Sequence, residues 1–479
     1  MRPENVSRTV LASGVGAVLA AAALVYVPEP AGRPAALPPG PTERAGRAAE
    51  AGAPAALPDL AALIGDRERW VAGHPGDDTS WALLGTAYAE RGLRRADPAD
   101  FTRAERALKR SLTVRPAARG NLDAQAGLAA LANARGDWAA GRQWGERVRA
   151  AAPKRWSVYP VLIDAYDGLG DYKAARRAGE TLTELHGGSA AGAARSAALY
   201  RVRGWREDAG AAALDAVALA ETPAQKADAL SGAGDLAGER GEPAEALARY
   251  GAALELVADH GPSLAGQARA KAALGRTAEA LRDWRAAVAR LPLPEYVLEA
   301  GELAEALGRD AEAEASYRRL RTGAWVRAEV TLGRLEADHG DPARAVRGLR
   351  AAWARGHRSL EVADALGWAL LRAGEPKEAL PYAKRATEEG LRSALFSYHR
   401  GEIERALGES GAARRHLSEA LRTDPEFSPL FAPRAREALA ELGEPPDELP
   451  ELLPGAGAPG AGKPDVVRRG PSRPAGRAR

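Results

Sequence analysis

The side chains best suited to acid–base or metal chemistry near neutral pH are seven histidines, and the 479-residue chain has no cysteine. His74, His186, His260 and His357 fall near turns, His339 precedes a glycine, and His399 and His416 stand alone in helical stretches. No two of them have the His-Glu-x-x-His spacing that would place two imidazoles on one helix face around a metal. The lack of cysteine excludes disulfides, thiolate metal sites, a cysteine nucleophile and a lipoprotein anchor. The 52 glycines include neither a phosphate-cradling loop nor a Gly-x-Gly-x-x-Gly turn following a strand. No Gly-x-Ser-x-Gly sequence supplies an exposed, activated serine. Carboxylates are spread along helical stretches, where a solvated face is their ordinary role. The net charge of +3 shows no basic stripe with interleaved aromatics, so nucleic acid is not an expected partner. These observations predict no catalytic residue, no cofactor and no metal site.

The glycines have another use. Gly92, Gly136, Gly170, Gly204, Gly241, Gly275, Gly308, Gly340, Gly374 and Gly408 recur at close to 34 residues after the first interval. A residue of little bulk follows each by five positions, as in Gly141, Ala175, Ala209, Ala246, Ala280, Ala313, Ala345, Ala379 and Ala413. In the first unit, extra residues after Gly92 move this slot to Ala104. Seven positions before the glycine lies another small residue, such as Gly85, Ala129, Gly234, Gly301, Gly333 or Gly401; Ile163 breaks the rule. Pro116, Pro153, Pro292 and Pro425 close several units. Glycine enters the left-handed region without a Cβ clash, so each marks the end of one helix and a tight turn into the next. Small residues on both sides of the turn let the two antiparallel helices approach closely. Larger side chains, such as Leu162, Tyr166, Tyr250, Trp284 and Tyr317, then fill the space towards the next hairpin. An internal period of this length signals a solenoid.

The pattern resembles the tetratricopeptide-repeat (TPR) family. Leu84-Gly85 with Tyr88, and Ala413 with Leu417, Ala420 and Pro425, carry the likeness, which spans residues 59–443. Lys271, Glu336 and Glu404 depart from it, standing where an apolar or aromatic residue is usual. The resemblance implies an all-α fold: a right-handed α-solenoid of about ten helix–turn–helix units at about 78–427. A half unit at 59–75 and a helix at 428–442 would cap its open ends. It also implies a concave groove, lined by the first helix of each unit, that holds an extended peptide or a partner helix. The inner slots lie ten, six and three residues before each turn glycine. They give Leu298, Glu302 and Glu305 in one unit, Trp368 and Leu371 in another, and Tyr398 in the last, with Leu395 nearby. Trp368 and Tyr398 have two readings: an exposed aromatic anchor in the groove, or ordinary packing between neighbouring units.

The ends differ in character. Residues 9–27 form an uncharged run about as long as a bilayer core, behind a short segment at 1–8 with Arg2 and Arg8. This predicts one transmembrane helix acting as a signal anchor, with a cleaved signal and a secreted chain as the alternative. Residues 28–58 read as a Pro/Ala-rich linker, and 444–479 as a disordered Pro/Gly/Arg-rich tail. The expected function is a scaffold or adaptor on the cell membrane, body extracytoplasmic, binding an unidentified protein, with self-association open. A cytoplasm-facing scaffold and an enzyme built on a helical solenoid are the alternatives.

Overall fold

The computed structural model describes residues 39–50 and 55–443, and these are helical throughout, without a strand. The expected transmembrane run at 9–27 and the tail at 444–479 lie outside the described residues. Among the described residues no helix is long and apolar enough to cross a membrane. The helices pair as antiparallel hairpins. The first pair is α1 (Pro41–Glu50) and α2 (Leu57–Gly73). Next come α3 (Asp78–Arg95) with α4 (Pro98–Val114), α5 (Leu122–Ala134) with α6 (Trp138–Ala151), and α7 (Val158–Gly168) with α8 (Tyr172–His186). Then follow α9 (Ala190–Val202) with α10 (Arg206–Leu219), α11 (Pro223–Glu239) with α12 (Pro243–Leu256), and α13 (Gly261–Ala273) with α14 (Thr277–Arg290). The last are α15 (Pro294–Ala306) with α16 (Asp310–Thr322), α17 (Glu329–His339) with α18 (Pro342–Ala354), α19 (Leu360–Arg372) with α20 (Pro376–Glu388), and α21 (Ala394–Ala406) with α22 (Ser410–Thr423). A single helix, α23 (Phe431–Glu441), follows.

Local chemistry accounts for the hairpins. At the α7–α8 turn, Gly170 takes φ 69°, and the Asp171 N–H reaches back to the Tyr166 carbonyl at 2.8 Å. The Asp171 side chain then accepts from the Ala174 N–H at 3.0 Å and starts α8. That is a glycine C-cap followed at once by an N-cap. The small residues sit where the helices cross. A Cβ on Gly234 would lie 2.7 Å from the Tyr250 ring, one on Gly301 2.7 Å from Tyr317, and one on Gly333 2.6 Å from Leu349. Each large side chain therefore lies over a glycine of its own hairpin. The charged residues at apolar slots are paired: Lys271 Nζ lies 2.5 Å from Asp283, Glu336 meets Arg321 at 3.4 Å, and buried Glu404 bonds His416 at 2.5 Å and Arg400 at 3.0 Å. Pairing offsets the desolvation cost that would otherwise bar a charge from these sites.

Three details differ from the sequence reading. Gly92 is not a turn residue: α3 runs on to Arg95, and Ala96 takes the left-handed cap at φ 51°. Gly92 serves instead as a contact, since a Cβ there would meet the Phe101 ring at 2.8 Å while Arg91 grips Asp100 at 2.6 and 2.7 Å. Gly340 has φ −153° and is not left-handed; the Glu336 carboxylate caps this helix end by accepting from the Asp341 N–H at 3.1 Å. The stretch 28–58 contains α1, which buries Ala45 and Ala48 against α2 and pairs Arg44 with Asp59. Its prolines suggested a spacer, but Pro41 stands at the first helical position, where proline is tolerated and the Ala/Arg run behind it propagates the helix.

The hairpins wind until successive turns of the coil touch. The Arg358 N–H donates to the Gly168 carbonyl at 3.1 Å, and the Leu360 N–H donates to the Tyr172 hydroxyl at 2.8 Å. Arg385 spans the same junction, donating to the Gly170 and Arg358 carbonyls at 3.4 Å. These partners lie 188 residues apart in the Tyr172–Leu360 case, or about five and a half units of the 34-residue period. Similar contacts join Arg327 to Trp138, stacked at 4.7 Å, and bring Gly390 against Gly204 and Pro425 against Gly241. A seam thus runs between the hairpin ends of one coil turn and the loops of the next.

Candidate functional site

Inside the coil is a cavity of about 810 Å³. Its wall is built mainly by α9, α11, α13, α15 and α17, with the start of α21 and the loop leading to α23. Four arginines line it: Arg201, Arg269, Arg334 and Arg392. Nine carboxylates oppose them, from Asp228, Asp235, Glu239, Glu295, Glu299, Glu302, Asp338, Asp424 and Glu426. Leu298, Leu303, Phe427 and Phe431 add apolar surface.

The charges form a ladder across neighbouring first helices. Arg201 on α9 holds Glu239 on α11 at 2.8 Å, and Arg269 on α13 grips Glu299 on α15 with two bonds of 2.6 and 2.7 Å. Arg334 on α17 reaches Asp364 on α19 at 3.2 Å. Arg–carboxylate forks of this kind fix geometry as well as charge. Between the rungs are acids without an ion pair among the described residues. Asp235 accepts only from the Tyr250 hydroxyl, at 2.7 Å, and neither Glu295 nor Glu302 has an ion-pair partner among the described residues. Burial raises the Asp235 carboxyl above the usual range against the pull of Arg269, and burial likewise raises Glu295. Burial, with Glu299 and Asp338 nearby, pushes Glu302 up to about 8. Asp235 and Arg269 are nonetheless exposed to solvent, as side chains lining an open cavity are.

Residues 265–326 and 365–429 match the family model described as tetratricopeptide repeat. These two stretches are tetratricopeptide repeats. They comprise most of α13 to α16, then α19 to α22, so hairpins at the cavity wall are themselves TPR units. No curated protein matches the chain. Solved structures similar to it include the APC/C hetero-tetramer Cut9-Hcn1, at 14% identity over 76% of this chain and 76% of that one, TM-score 0.40. A thermophilic TPR protein of Thermus thermophilus is 23% identical over 40% of this chain and 98% of its own, TM-score 0.34. The human IFIT1 dimer with PPP-AAAA is 13% identical, covering 76% and 94%, TM-score 0.44.

The TPR inner-slot rule meets this cavity unevenly. Leu298, Glu302 and Leu395 line it. Glu305 does not; it accepts from the Tyr317 hydroxyl at 2.7 Å and pairs with His339 at 3.2 Å. The aromatic anchor is corrected. Trp368 and Tyr398 are each 3% exposed and belong to the core between the last units. Trp368 stacks on His399 at 4.2 Å and donates to Asp338 at 3.0 Å, while Tyr398 stacks on Phe431 at 5.5 Å. The cap helix α23 supplies that Phe431 and covers the face that a bare terminal TPR unit would have shown. Leu371 packs, partly buried, against the same core. The residues not foreseen are Arg201, Asp235 and Arg269. Asp235 and Arg269 stand six residues before Gly241 and Gly275, and Arg201 three before Gly204, so the same counting extended to these units finds all three. Of the histidines, His260 bonds Ser263 at 2.8 Å and Asp228 at 2.7 Å, and His399, which lines the cavity, bonds Asp364 at 2.9 Å. No cluster of three potential metal ligands occurs among the described residues.

Proposed function

We propose that this TPR protein is a membrane-tethered scaffold that holds a segment of a partner protein in the cavity of its coil. The observation that carries this reading is the cavity wall: first helices of successive hairpins present fixed Arg–Glu rungs, acids with no ion pair among the described residues, and apolar patches to one shared space. Pockets of this volume class bury most of a ligand's surface, and convergent polar groups on rigid elements give orientation. No step in such binding requires a cofactor. The tether in this reading is the uncharged run at 9–27; Arg8 abuts it on the N-side while Arg33, Arg44 and Arg47 follow on the C-side, a weak bias towards the N-terminus inside and the solenoid outside the cytoplasm.

A photo-crosslinking residue at Leu298 in the full-length chain, in its own membrane, tests the binding site. The control is the same residue at Arg318, exposed on α16. A polypeptide captured from Leu298 and not from Arg318 supports the reading. Equal capture, or none, overturns it. A reporter fused to the C-terminus, assayed on each side of the membrane, tests the orientation independently.

A further inference from the structure

The cavity carries nine carboxylates and four arginines, an excess of five acids. Two arginines are already committed to Glu239 and Glu299. Burial and the neighbouring acids favour the protonated form of carboxyls such as Glu302, and a cationic occupant restores their ionised form by offsetting both. The chain contains a segment of matching charge. Residues 463–479 carry six basic side chains, among them Arg468, Arg469 and Arg473, against the single acid Asp465. Within it, Val466-Val467-Arg468-Arg469 sets two apolar residues beside two arginines, as the wall sets Leu298 and Phe427 beside Glu299 and Glu302.

Position and reach agree. The loop before α23 forms part of the wall through Asp424, Glu426 and Phe427, so the chain starts its last described helix at the cavity. Residues 444–462 intervene and can span roughly 60 Å at about 3.3 Å per residue. A tethered ligand meets its site at an effective concentration that reaches the millimolar range for short flexible connections.

We propose that the basic segment 463–479 of this chain is an intramolecular ligand of the acidic cavity, occupying the site until a partner displaces it. This rests on the reading of the cavity as a protein-binding site and names the chemistry it selects: an arginine-rich segment.

The test uses the full-length chain and a fluorescent peptide of residues 463–479, followed by anisotropy. In wild type the attached segment competes with the added peptide. In a chain carrying Arg468→Glu and Arg469→Glu the competitor is weakened, and the peptide binds at least ten-fold tighter. Adding Glu295→Gln and Glu302→Gln to that chain reduces affinity at least ten-fold again, as does raising salt from 0.1 to 0.5 M. Circular dichroism checks that these chains fold. Equal peptide affinity for wild type and the Arg468→Glu/Arg469→Glu chain overturns the proposal, as does an absence of binding to either. A wild-type affinity that changes with protein concentration assigns the segment to a second copy and overturns the intramolecular form. Capture of another protein from Leu298, without peptide binding, refutes this inference and leaves the proposed binding site standing.

Discussion

Eight turn glycines share one local conformation, with φ between 67° and 85°, yet they fall into two environments. Gly136, Gly170, Gly204 and Gly241 lie against the loops of the next coil turn, whereas Gly275, Gly308, Gly374 and Gly408 have nothing among the described residues within 4 Å of a Cβ position. The repeat determines the turn; the length of the array determines what the turn meets. A point 188 residues on from Gly170 is Arg358, inside the array, but the same step from Gly275 is residue 463, past the last described residue. Half the glycines are therefore required twice, for the backbone angle and for close backbone approach, and half only once.

The sharpest way to break this comparison is Gly170→Ala. Its Cβ would fall against the Arg358 carbonyl, with the carbonyl carbon 2.8 Å away, and two main chains cannot both yield. Left-handed strain of about 1–2 kcal/mol adds to an overpacking cost of about 1–3 kcal/mol. We expect a loss of about 3–4 kcal/mol and loss of amide-exchange protection at Arg358 and Leu360 together. Retained protection at both would show that the seam does not hold in solution. Next in size is Tyr172→Phe, which removes the acceptor of the Leu360 N–H while keeping the ring that packs there. An unsatisfied buried donor costs about 1–3 kcal/mol. Exchange at Leu360 should accelerate, with the amides of α13 to α16 unchanged.

The hairpins could be read from the sequence because each is a local event: a glycine, a cap and two small residues within about 34 positions. Gly92 and Gly340 misled because neighbours took over their task, Ala96 in one case and the Glu336 side chain in the other. The first helix was hidden because Pro41 looked like linker composition. The seam had no signature, since nothing in Gly170-Asp171-Tyr172 distinguishes it from Gly374-Glu375-Pro376 as a turn. Of the site, Leu298 and Glu302 were reachable by counting back from Gly308, and Leu395 only as a neighbour of the Tyr398 slot. Trp368 and Tyr398 were not assignable that way, because the last units are closed by α23 and the same slot becomes interior.

On the open side, Gly374→Ala sharpens the comparison. The angle of 85° is still strained for alanine, but no atom of the described residues obstructs the methyl. We expect about 1 kcal/mol of destabilisation, visible as local fraying at the α19–α20 turn, with Arg358 and Leu360 protection intact. A loss as large as that of Gly170→Ala would mean that backbone angle alone accounts for both, and the distinction between the two groups of turns would disappear.

The smallest effect concerns charge at the seam. Asp167 precedes Gly170 by three residues, and burial, with the Asp164 carboxylate beside it and only Arg195 opposing, pushes it up to about 7; Glu361 on α19 adds to the same push. A carboxyl whose pKa is raised on folding is held neutral in the fold. Its contribution is fully present below the ordinary carboxylate range and is lost as pH rises from there through 7, because the unfolded chain gives up this proton while the folded chain still holds it. Asp167→Asn imitates the neutral acid and should abolish that loss. Between pH 6 and pH 8 wild type should therefore lose up to about 1 kcal/mol more stability than the variant, the figure being modest because the group is partly reached by solvent. Amide exchange at Leu360, measured at both pH values and corrected for its intrinsic rate, places the effect at the seam. Parallel pH dependence in the two chains would remove Asp167 from the seam's energetics, and leave Tyr172, Arg385 and the close glycine contacts as what holds successive turns together.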